Sequence, residues 1–70
     1  MTQNEFKTMF LKLVAWGWSG EYADELNAKA NNPAQLSKIF SRARLVAYRN
    51  CISIHDALYH LISSGKLGNI

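Results

Sequence analysis

Apolar residues recur along most of this chain at steps of three and four, with polar residues filling the gaps in the same rhythm. Advancing about 100° per residue, Phe6, Met9, Phe10, Leu13, Val14 and Trp16 gather on one side of the first segment. Glu5, Lys7, Thr8 and Lys12 fall opposite, and Leu11 falls among them. Leu36, Ile39, Phe40, Ala43, Val46 and Ala47 share one arc of a later segment, and Ile54, Ala57, Leu58, Leu61 and Ile62 share one arc of the last. Tyr22, Ala23, Leu26 and Ala30 trace only a narrow apolar edge between them. Each arc is the core-facing stripe of an amphipathic helix. No stretch alternates with period two over more than three residues, so no strand is expected.

Start and stop signals bound these helices. Thr2 and Glu5 have capping-box spacing, and Ser53 and Asp56 repeat it. Asn32 is a good N-cap, and Pro33 after it stands at the first helical position, where its missing N–H is no loss. Ser19 is placed to cap a weaker second helix, whose first turns hold Glu21, Asp24 and Glu25, the sign that the helix dipole favours. Lys29 follows Glu25 by four residues and is placed to pair with it, as His60 is with Asp56. Gly17 and Gly20 break the first helix from the second, Cys51-Ile52-Ser53 reads as a short extended connection, and Gly65 suits the position after the last helix. The spacing predicts an all-α fold of four short helices, about 3–16, 20–31, 33–50 and 54–64, around one core. Residues 1–70 form one domain, with the last few, Lys66 to Ile70, frayed unless Leu67 folds back on the cap. Trp16 and Trp18 are expected to cap the core.

The length of 70 residues allows one domain that buries only about 60% of its unfolded surface. The single cysteine, Cys51, excludes an internal disulfide and is expected to be buried. With no disulfide framework and no leader pattern, the expected setting is the cytoplasm. The apolar run from Met9 to Trp18, broken by Lys12 and Gly17, is too short to cross a bilayer, so no membrane partner is expected.

Charge changes the picture more than composition does. The net charge is +3, unevenly spread. Residues 1–25 hold two lysines against four acids. From Leu26 through His55 there is no Asp or Glu, while Lys29, Lys38, Arg42, Arg44 and Arg49 are all cationic. On the third helix Lys38, Arg42 and Arg49 line up with Leu45 between them, and Arg44 and Tyr48 lie on a flank. A helix that merely stays solvated usually mixes signs, because Glu–Lys pairs one turn apart support it. A row of cations without acids reads instead as a docking face.

Candidate chemistry is thin. Cys51, His55, Asp56 and His60 are close in sequence, but His55 and His60 point about 140° apart on a helix, so at most one could serve Cys51 as a base. The same residues lack the four convergent ligands of a zinc site, and no Gly-rich phosphate loop is present. No catalytic residue, metal or cofactor is assigned, and the chain is expected not to be an enzyme.

The string Pro33-Ala34-Gln35-Leu36-Ser37-Lys38-Ile39-Phe40, continuing to Arg44, looks like the second helix of many helix-turn-helix DNA-binding domains. The helix–Gly–turn spacing that usually precedes that helix is absent, and Ala23 and Leu26 stand farther from the proline than in that pattern. The resemblance implies base or phosphate contacts from Gln35, Ser37, Lys38, Ser41 and Arg42. Two functions are therefore expected. One is a small DNA-binding regulator whose third helix lies on the duplex, with Arg44 and Arg49 adding phosphate contacts and the chain acting as a homodimer. The other is an inhibitor or adaptor that docks on an acidic protein surface, anchored by Leu11, Trp18, Arg44, Leu45 and Tyr48.

Overall fold

A computed structural model describes residues 1–69. Four α-helices follow one another, α1 (Gln3–Gly17), α2 (Gly20–Ala30), α3 (Pro33–Asn50) and α4 (Ile54–Ser63), and a short 3-10 turn, Lys66–Asn69, closes the chain. No strand occurs among the described residues. Both the class and the order are those the periodicity implies.

The caps explain the boundaries. The Thr2 hydroxyl accepts from the Glu5 N–H at 3.2 Å, and the Glu5 carboxylate accepts from the Thr2 N–H at 3.0 Å, a complete capping box. The Asn32 side-chain oxygen accepts from the N–H groups of Ala34 and Gln35, both at 3.1 Å, and Pro33 opens the helix. Ser53 accepts from the Asp56 N–H at 3.0 Å. Ser19 precedes α2 but makes no side-chain capping bond. Gly20, with φ at +72°, gives the turn its left-handed residue instead, while Gly17 remains helical.

One connection differs from expectation. Cys51 is not extended: it ends α3 in the left-handed region, with φ at 55°, and both its own N–H and that of Ile52 reach back to the Ala47 carbonyl. It is exposed rather than buried, because a residue in this cap points off the end of the helix. The tail takes the alternative in which Leu67 folds back on the cap. Gly65 adopts φ of +71°, the chain turns back, and Leu67 is buried in the core. Ile70 lies outside the described residues.

One interior holds the helices together. Phe6, Phe10, Leu13 and Val14 come from α1, and Ala23, Leu26 and Ala30 from α2. Leu36, Ile39, Ala43 and Ala47 come from α3, and Ala57, Leu58, Leu61 and Ile62 from α4. α3 and α4 form the most extensive helix pair. Phe6 meets Phe10 edge-on at 6.1 Å and stacks on Phe40 at 4.6 Å. The Tyr22 hydroxyl donates to the Ile62 carbonyl at 2.6 Å, pinning α2 to the end of α4. No buried side-chain polar atom among the described residues lacks a partner.

Two apolar side chains depart from their expected places and a third keeps its own. Trp16 does not cap the core; it is 77% exposed. Leu11, expected on the polar side, is half-buried against the core. Trp18 is half-buried, as a cap should be, and leans on Tyr59 at 5.7 Å.

Candidate functional site

With Leu36, Ile39, Ala43 and Ala47 turned inward, the opposite half of α3 faces solvent along its whole length. Eighteen residues make a helix about 27 Å long, and the molecule's longest dimension is 31 Å. This face therefore runs nearly end to end. Lys38, Arg42 and Arg49 lie within an arc of about 40°, with Leu45 beside them, and cover roughly 16 Å of the axis.

The structure brings most of the expected residues onto this one surface. Ser37, Lys38, Ser41, Arg42, Arg44, Leu45, Tyr48 and Arg49 are all exposed. Gln35 is only half-buried, and its backbone N–H is already committed to the Asn32 cap. Tyr48 is 86% exposed and Leu45 41%. The Arg44 guanidinium lies 5.4 Å from the centre of the Phe40 ring, which is itself stacked on Phe6. A cation over an aromatic face gains about 0.5–1 kcal/mol at an exposed site. The stack leaves guanidinium N–H groups free to donate outward.

None of the four cations on α3 is neutralised. Among the described residues the sole ion pair is His55 with Asp56, at 3.8 Å on the surface. The expected Glu25–Lys29 and Asp56–His60 pairs do not form, since exposed partners one turn apart gain little from being held together. Nor does the acidic group in α2, Glu21, Asp24 and Glu25, reach across to α3. Asn50, at the end of α3, caps its own helix through the Val46 carbonyl and adds no negative charge.

The chain matches no protein-family model, and comparison with curated proteins and with solved structures finds no significant similarity. The reading of the site therefore stands on its geometry alone.

Asn31 and Asn32, two residues without a glycine, join α2 to α3. Cys51, His55 and His60 do not assemble into a centre, and among the described residues no three His, Cys, Asp or Glu side chains converge where a metal ion could be held. No described helix is long and apolar enough to cross a membrane.

A second surface feature was not anticipated. An open groove of about 730 Å³ runs along α1 on its α4 side, with Met9, Leu13 and Trp16 in its apolar floor and His55 on the far wall. Of the helices packed on α1, α4 approaches it less closely than α2 or α3, which leaves the groove open. The signal was present in the angular positions. Trp16 lies four residues after Lys12 and roughly 100° from the middle of the core stripe, so helix geometry puts it with the polar residues.

Proposed function

We propose that this chain is a small binding protein, without catalytic activity of its own, that lays the outward face of α3 on duplex DNA. One observation carries the reading: Lys38, Arg42, Arg44 and Arg49 share the solvent side of a single long helix, and no carboxylate pairs with any of them. Unpaired cations along one helix, three in a row and Arg44 on the flank, lower the cost of approaching a polyanion and release its counterions on contact. The major groove admits an α-helix, and α3 is long enough to cross it. In this reading the four cations bind phosphates, Ser37 and Ser41 add hydrogen bonds, and Gln35 stands at the N-terminal end of the helix, near base edges. A regulatory role in the cytoplasm, where Cys51 stays a thiol, belongs to the same proposal.

A labelled duplex titrated with the protein at several salt concentrations tests it. Four phosphate contacts imply a slope of log K against log salt of about −3.6. Affinity then falls roughly 150-fold between about 50 and 200 mM salt. Replacing Lys38→Glu together with Arg42→Glu removes two contacts and brings the slope to about −1.8 or flatter, with the helical circular-dichroism signal unchanged. No binding at micromolar protein and low salt, or an unaltered slope in the double variant, overturns the proposal.

The exposure of Tyr48 and Leu45 beside the cations favours a second reading, an acidic protein surface as the partner. Large apolar side chains next to arginines are where interface energy concentrates. Leu45→Ala separates the two: it changes no charge and leaves the duplex salt slope intact, but it removes an apolar anchor and weakens docking on a protein.

A further inference from the structure

The groove along α1 has a symmetry that the core does not require. Trp16, 77% exposed, stands at one end of the strip, and Met1, 60% exposed, at the other. Glu5 and Lys12, both exposed, lie on the same strip between them, and Thr8 and Met9 occupy its middle. Counted from the point between Thr8 and Met9, Glu5 and Lys12 are equally far in opposite directions, and so are Met1 and Trp16. Glu5 and Lys12 are seven residues apart, about 10 Å along the axis. Helical ion pairs form at three or four residues, so these two charges cannot neutralise each other within one chain, and neither has an ion-pair partner.

We propose that the groove is filled by the same strip of a second copy of this chain. The two α1 helices run antiparallel about a two-fold axis that passes between Thr8 and Met9. A two-fold interface must be self-complementary, each residue meeting the residue mirrored about the axis. This strip meets that condition. Glu5 of each copy faces Lys12 of the other, Trp16 of each covers Met1 of the other, and Met9 meets its own counterpart beside the axis. Methionine is suited to such a seam, because its unbranched thioether adapts to an aromatic or to another methionine. Thr2 already donates its N–H to one Glu5 oxygen, Oε1, which orients the carboxylate and leaves the second oxygen for the partner's lysine. His55 forms the wall that keeps the seam on the α1 side. No residue of α3 lines the groove, so the dimer leaves two cationic faces exposed. The inference does not depend on what α3 binds.

A patch one helix long is at the small end of specific interfaces, so self-association is read by sedimentation from about 1 µM to about 1 mM protein. The expected result is a mass that rises toward two copies over that range. Glu5→Lys and Lys12→Glu each set like charges against each other twice, and each weakens self-association at least about tenfold. Mixed one to one, the two variants restore both opposite-charge pairs, one in the parent sense and one reversed, and form a heterodimer tighter than either variant's homodimer. Trp16→Ser, at an exposed position that cannot unfold the core, also weakens self-association at least about tenfold. It carries the test should Glu5→Lys, which breaks the capping box, fail to fold. A parent protein that stays monomeric to about 1 mM overturns the proposal. So does self-association untouched by Lys12→Glu and Trp16→Ser, which would place the contact elsewhere, such as the α2 acids against α3.

Discussion

Removing a single oxygen at position 22 tests how the helices are tied. The Tyr22 hydroxyl bridges 40 residues of sequence to reach the Ile62 carbonyl at 2.6 Å, the side-chain hydrogen bond of longest sequence range among the described residues. Tyr22→Phe deletes the donor and leaves the ring. The acceptor is not orphaned, because the Ile62 carbonyl also takes the Gly65 N–H at 3.1 Å. The cost is therefore that of one hydrogen bond and not that of a buried unsatisfied group, about 0.5–1 kcal/mol. In a domain of this size that lowers Tm by roughly 2–8 °C. The proton gives a second readout. Burial, reinforced by the charge of Glu25, holds the Tyr22 phenol above its ordinary value of 10.0. The folded chain thus binds this proton more tightly than the unfolded chain does. The stabilisation is complete below about pH 10, and it drains away as pH rises through the folded value. Urea titrations of the parent and of Tyr22→Phe, run in parallel from neutral to alkaline pH, should show a constant gap that closes above about pH 10. Every other group is common to the two proteins and cancels in the difference. A variant as stable as the parent at neutral pH, or a gap that widens in alkali, refutes the role given to this hydroxyl.

Two further substitutions probe the ends of the core. Leu67→Ala should cost about 2–3 kcal/mol in urea denaturation, since a fully buried leucine is truncated. A cost under about 0.5 kcal/mol would mean the closing turn adds nothing to the fold. Cys51→Gly should raise stability by about 0.5–1 kcal/mol, because a residue with φ of 55° carries a steric penalty that glycine lacks. Lost stability in the same denaturation assay would show that the thiol makes a contact outweighing that penalty.

Local chemistry was legible wherever a decision involves neighbours in sequence. Thr2 with Glu5, Asn32 with Pro33, Ser53 with Asp56, and Gly65 all do what their spacing implies, because a cap is completed within four residues. The cations of α3 were legible for a related reason. A helix carries its own angular register, so Lys38, Arg42 and Arg49 must share a side once the helix exists, and the apolar stripe of α3 says which side is left for solvent. Ser19 and Cys51 show the limit of such rules. Either residue type is compatible with its place, but the backbone geometry of the turn settled whether a side chain could reach an N–H group, and whether the thiol would be covered.

Leu11 and Trp16 mark where sequence reasoning ends. Both sit roughly 100° or more from the centre of the α1 stripe, on opposite sides of it. Periodicity treats those two flanks as equivalent. Packing does not: one flank of α1 is roofed by the helices it meets closely, and Leu11 is drawn into the core. The other faces α4, which approaches α1 least, and Trp16 is left in the open groove. The amphipathic pattern dictates four helices, their ends and their inward faces, since each of these depends on a residue and its near neighbours. Which flank gains a neighbour, and so which large side chain is buried and which is offered to a partner, depends on contacts between residues far apart in the chain, and those exist only after the helices have assembled.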